Sequence, residues 1–149
     1  MLAGDDGAAA VQATDFLPIV SVLSLITVEF GGWALLGFLT GRSSLGDEQV
    51  VVDHRMRFFR AGHAHAGVLI VLSLVFYVYL DRADFSNGWD WLVGVILVAG
   101  TLAQSGGFFI HLGKGAPATP SVGTTVTRLG AILIAVALVI LAVGLIQQL

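Results

Sequence analysis

Two histidines stand one residue apart, His63 and His65, at the head of an apolar run long enough to cross a bilayer. Imidazole ligates transition metals and haem iron and relays protons, so a pair at membrane depth calls for chemistry. Successive helical residues are turned by about 100°, which sends the two rings about 200° apart. From a regular helix they cannot chelate one ion together; they serve two sites, or one site on each flank. Gly62, Ala64, Ala66 and Gly67 keep the surroundings small, which clears the space a flat, bulky ligand requires. Either histidine alone reads equally as an imidazole bonded to a neighbouring carbonyl or to interfacial water.

Further residues extend the constellation. Gly100, Ala103, Gln104, Gly107 and His111 recur at spacings of three and four, forming one small, partly polar helix face turned to protein or ligand rather than lipid. His111 is a third imidazole at the same membrane side, or else a histidine at a helix terminus favoured by the dipole. Glu29 lies halfway along the apolar "SLITVEFGGWALL", where an ionisable group reads as a proton relay, an ion site or a ligand contact. The alternative is a protonated acid hydrogen-bonded within the bundle. At about 1.5 Å per residue Glu29 is about 18 Å from the Arg42 end and His65 about 8 Å from Arg60, which makes Gln104 the nearer expected partner. Arg55, Arg57 and Arg60 precede the histidines within two turns. Guanidinium groups suit carboxylates, so they could hold the propionates of a haem on His63 or His65, or be ordinary topogenic arginines. His54 reads as solvated.

These residues must be positioned by membrane helices. The chain has 149 residues, 56% hydrophobic and 11% charged, with its apolar residues gathered into long runs. Four runs reach the roughly 20 residues that a helix needs to span a bilayer, at about 16–40, 58–80, 89–112 and 124–146. They are continuously apolar rather than alternating, so the reading is an all-α integral membrane protein, a four-helix bundle and no barrel. Residues 1–15 form an acidic flexible tail and 16–149 one transmembrane domain. Nothing resembles a removable signal, so the first helix is expected to stay in the mature protein. Gly31 and Gly32, Gly62 with Ala66, and Gly106 with Gly107 are the expected helix contacts. Without cysteine there is no disulfide, thiolate metal site, iron-sulfur cluster or covalent c-type haem. A net charge of -3 and no basic stripe argue against nucleic acid. Arginines cluster on the side of the first and third connections, which by the positive-inside rule turns both termini outward.

The stretch "GHAHAGVLIVLSLVF" resembles the His-x-His helix of the haem-copper oxidase superfamily, where two imidazoles on opposite faces ligate two different haems. In that superfamily the large subunit has twelve helices in three four-helix arcs, and the histidine helix is second in its arc, as here. The resemblance implies a single arc assembling as a homotrimer, with His65 of one copy and His63 of the next sandwiching a haem b at each interface. It also implies termini inside, opposite to the arginine count. The family's copper ligands, cross-linked His-Tyr pair and proton channels find no counterpart, so oxygen or nitric oxide reduction does not carry over.

The reading is a b-type haem protein of the bilayer, bis-histidine ligated through His63 and His65, with His111 as a spare ligand. It acts in electron transfer or haem sensing in a prokaryotic cell membrane, with a quinone or redox protein as partner. Filled axial positions suit an electron carrier rather than a complete oxidase. Two rivals stand beside it: a proton or divalent-ion transporter built on Glu29, Gln104 and the histidines, and an accessory subunit whose polar groups only fix helix contacts.

Overall fold

The computed structural model describes residues 10–41, 49–111 and 121–149, with side chains for 10–37, 56–111 and 121–149. Nearly all of these residues are helical, with no strand among them. Helix α1 runs Ala13–Gly41, α2 Gln49–Leu80, α3 Asn87–Ile110 and α4 Val122–Gln147. All four are long and apolar enough to cross a membrane. Helix α1 begins three residues inside the expected tail, and α2 begins at Gln49 rather than near residue 58, so "VVDHRMRFFR" is helical throughout. Both extensions are continuous with spans that already make every backbone bond internally, so the hydrogen-bond ladder propagates at little further cost.

Pro18 sits in the second turn of α1 without ending it. Between α2 and α3 the chain reverses through a short 3₁₀ turn at Asp81–Ala83 and Asp84, whose φ of 52° is left-handed. Aspartate tolerates this conformation better than most residues, and it sets the two helices antiparallel.

The helices stand in a row, α1 beside α2, α2 beside α3 and α3 beside α4, with α3 and α4 making the most extensive contact. The buried core lies toward the membrane side that holds the chain ends. Leu17 of α1, Phe76, Tyr77 and Leu80 of α2, Val93 and Leu97 of α3, and Leu141 of α4 form it. Polar ties close this end. The Ala13 N–H donates to Asn87 Oδ1 at 3.2 Å, Trp91 Nε1–H to the Val11 carbonyl at 3.2 Å, and Gln148 Nε2–H to the Ala83 carbonyl at 3.3 Å. Toward the opposite side the large aliphatic core gives way to glycines, aromatic rings and the histidines.

Candidate functional site at the histidine end of α2

The turn Gly62–Gly67 touches two helices at once. His63 lies across Gly31 and Gly32 of α1: a Cβ at Gly31 would fall 3.3 Å from its Nδ1, and one at Gly32 would fall 3.2 Å from its Nε2. A side chain at either position would press on the ring and require it to shift by a few tenths of an ångström. Phe59, one turn earlier, is parallel to the same ring with centroids 6.3 Å apart. On the other flank Gly62 accommodates Phe108 and Phe109 of α3, and the His65 ring lies 4.7 Å from that of Phe108. The two imidazoles thus serve opposite flanks, as a spacing of two on a helix dictates.

Their nitrogens are differently engaged. His65 Nδ1 is 2.8 Å from the Ala61 carbonyl oxygen. A carbonyl can only accept, so Nδ1 carries the proton, and Nε2 of the neutral ring keeps its lone pair. A tautomer fixed through Nδ1 is the arrangement that metal-ligating histidines use. His63 makes no hydrogen bond among the described residues, and its ring is held by shape alone. Both side chains are partly exposed.

His111 is placed otherwise. Its ring stacks on Phe58 at 4.5 Å, and Ser121 Oγ lies 3.3 Å from Nδ1 and 3.2 Å from Nε2, with Thr124 Oγ1 3.4 Å from Nε2. Ser121 is the N-cap of α4, its hydroxyl accepting the Thr124 N–H at 3.3 Å. His111 therefore joins the end of α3 to the start of α4. Ser121→Ala is expected to cost about 1 kcal/mol of stability, read from unfolding in detergent, and to leave the other two histidines undisturbed.

The small face of α3 packs against α4. A Cβ at Gly100 would fall 3.0 Å from the Gly130 carbonyl oxygen, one at Gly107 2.7 Å from that of Gly123, and one at Gly123 2.8 Å from the His111 ring. The Gln104 backbone lies against Gly130. Small residues let two backbones approach directly in a membrane, so this face is a helix seam. Gly106, the neighbour of Gly107, meets nothing within 4 Å at its own Cβ position.

Glu29 occupies neither the core nor this seam. It is exposed on the outer side of α1, while Gln104 belongs to the α3–α4 contact. Depth also differs from the residue count. His63 is level with Gly31 and Gly32, and Gly67 meets Val28, so antiparallel register puts Glu29 level with His65 and Ala66. Counting inward from Arg42 and Arg60 overstated the separation because α1 and α2 project by different lengths beyond their shared contact. Arg57 and Arg60 are exposed one to two turns before the histidines and form no ion pair among the described residues. The Arg55 and His54 side chains lie outside the described residues. Among the described residues no group of three or more His, Asp or Glu side chains converges on a metal position.

A crevice of about 280 Å³ between α1, α2 and α3 escaped the sequence reading. Ser24, Thr27, Ser73, Thr101 and Ser105 line it with hydroxyls, and it reaches Ala66 and Phe109 beside the histidine turn. Ser24, Ser73 and Ser105 each donate to the carbonyl four residues earlier, as isolated membrane serines do, which masks their polarity. Ser21, Ser24 and Thr27 recur at helical spacing, a signal that was available in the sequence.

Fold and site together define an α-helical membrane protein with a His-x-His turn shared between two helix contacts. Comparison with protein families, curated proteins and solved structures finds no match to the chain.

Proposed function

We propose that this protein is a membrane-embedded b-type haem protein that carries electrons or senses haem, related to a single arc of the haem-copper oxidase core. The observation that supports it is the His65 ring, tied through Nδ1 to the Ala61 carbonyl at 2.8 Å and left with a free lone pair at Nε2. His63 and His65 serve different flanks, so one chain supplies one axial ligand to a given iron, and the second comes from His63 of another copy. In its present position the His63 ring rests on Gly31 and Gly32, and ligation requires it to turn outward from that cradle. His111, engaged by Ser121 and Thr124, is the less available imidazole.

The residues fit such a group in charge as well as donor type. Arg57 and Arg60, exposed beside the histidines, complement carboxylate substituents. The Phe108 ring packs on His65 and restricts its rotation. A bound haem supplies one-electron chemistry at its iron, tuned by axial ligands and burial. The chain's contribution is to hold His65 in one tautomer and to offer Arg57 and Arg60 to the anionic edge. A quinone or a redox protein is the partner class for such a carrier.

The test is absorption spectroscopy of the protein purified in mild detergent, oxidised and dithionite-reduced, followed by a pyridine haemochrome assay. Sharp reduced α and Soret bands are the expected result. A preparation that stays colourless after haem is added would refute the reading and turn attention to ion flux through Glu29.

A further inference from the structure

The crevice between α1, α2 and α3 opens where α1 parts from α3. On the side of the chain ends the two helices meet: the Phe16 and Trp91 rings lie 5.8 Å apart, and Leu17 packs against Gly94. Toward the histidines about 280 Å³ of space lies between them, with Ile70 and Ser73 of α2 in its lining. Thr27 and Leu102, one from each parting helix, also line it and are exposed, Leu102 over 67% of its surface. Both residues lie well inside their membrane spans, so the mouth opens to hydrocarbon rather than to water. Whatever enters comes from the bilayer.

Cavities that stay empty in proteins are lined by apolar groups, and this one carries hydroxyls. Ser24, Ser73 and Ser105 have committed their protons to carbonyls of their own helices, at 2.7, 2.8 and 2.6 Å, and keep oxygen lone pairs. Thr101 differs. It lines the crevice and is 6% exposed, and its Oγ1 makes no hydrogen bond among the described residues, although a helical threonine has the same option as the serines. A buried hydroxyl without a partner is costly, and the crevice is where a partner can come from. Gly106 is also in the lining, and nothing stands within 4 Å of the position its Cβ would take, so the space continues to the backbone of α3.

The wall therefore offers a spare donor, several acceptors and a mainly apolar remainder, the composition of a pocket for a small molecule with few polar atoms. A plain acyl chain would leave Thr101 without a partner. A carbonyl oxygen accepts its proton. Quinones carry such a carbonyl on a lipid-soluble ring, and their reduced forms carry hydroxyls that can donate to the serine oxygens. We infer that the crevice binds the headgroup of a lipid-soluble quinone, its carbonyl oxygen accepting from Thr101 Oγ1–H. The crevice reaches Ala66, the neighbour of His65, so exchange of electrons between this ligand and a haem rests on the haem reading, whereas its binding does not.

The experiment is thermal unfolding of the purified protein in mild detergent with a decyl-substituted benzoquinone, and with decanol as the control that has the tail but no ring. The quinone is expected to raise Tm saturably and decanol to leave it unchanged. Thr101→Val removes a hydroxyl that has no partner, so Tm without ligand should hold or rise while the quinone Kd weakens about tenfold, and Thr101→Ser should restore binding. Gly106→Leu puts a side chain into the open space and should abolish the shift. An equal shift with decanol would make the crevice an acyl-chain groove and overturn the inference. So would a Thr101→Val protein that binds the quinone as the unsubstituted chain does, or the absence of a saturable shift. A saturable shift in a protein that stays colourless with haem sinks the haem reading and keeps the quinone site; haem bands without a shift do the reverse.

Discussion

His65→Ala protein supplied with haem b is expected to lack the reduced α and Soret bands of the unsubstituted chain, with bound haem falling at least tenfold. A ligating imidazole contributes its affinity through an oriented lone pair. In His65 the orientation is set by the 2.8 Å contact from Nδ1 to the Ala61 carbonyl, which no replacement lacking Nδ1–H can reproduce. Ala61 itself cannot be altered usefully, because the acceptor is backbone. His111→Ala is the informative companion. Its ring is taken up by Ser121 and Thr124, so haem content should be retained while stability falls by about 1 kcal/mol. Equal loss of haem in both variants would mean that the site was assigned to the wrong flank of α2.

Gly107→Ala is expected to destabilise the protein by about 1–3 kcal/mol, whereas Gly106→Ala, one residue away, should be neutral or slightly stabilising. A Cβ at Gly107 would stand 2.7 Å from the Gly123 carbonyl oxygen and 2.7 Å from the Thr127 backbone nitrogen. Those atoms belong to a helix backbone and cannot rotate aside, so α3 and α4 must separate. At Gly106 the corresponding position has nothing within 4 Å, and alanine gains helix propensity at no steric cost. Thermal unfolding of the two variants in one detergent compares them directly. Separation of α3 from α4 would also pull His111 from Ser121, so Gly107→Ala should loosen the loop-side end of both helices.

The small face of α3 illustrates how far residue types alone can be read. Its spacing correctly marks Gly100, Gln104, Gly107 and His111 as one face that avoids lipid. Whether that face meets a ligand or a helix depends on the residues opposite, and Gly123 and Gly130 lie on α4, beyond a loop of irregular composition. A small residue leaves room for backbone or for cofactor equally, so one-dimensional spacing cannot distinguish them.

Glu29 shows a second limit. Its cost at membrane depth follows from its chemistry and is plain in the sequence. Its depth relative to the histidines is not, because that rests on the register between α1 and α2, set where the His63 ring settles on Gly31 and Gly32. The crevice hydroxyls passed unnoticed for a related reason. Ser21, Ser24 and Thr27 share one face of α1 by spacing alone, but only the packing of three helices brings Ser73 of α2 and Thr101 and Ser105 of α3 to the same surface.

By itself the sequence determined the four membrane helices, because the length and continuity of apolar runs are local properties that lipid enforces without reference to neighbours. It also determined that His63 and His65 face opposite flanks, since helical rotation alone requires it. Only the tertiary structure decided that α3 and α4 share a glycine seam, that His111 is tied to the α4 cap, and that Glu29 stands outside the bundle level with His65. Those outcomes depend on which helix lies beside which and at what register, and register is a property of the packed pair rather than of either strand of sequence.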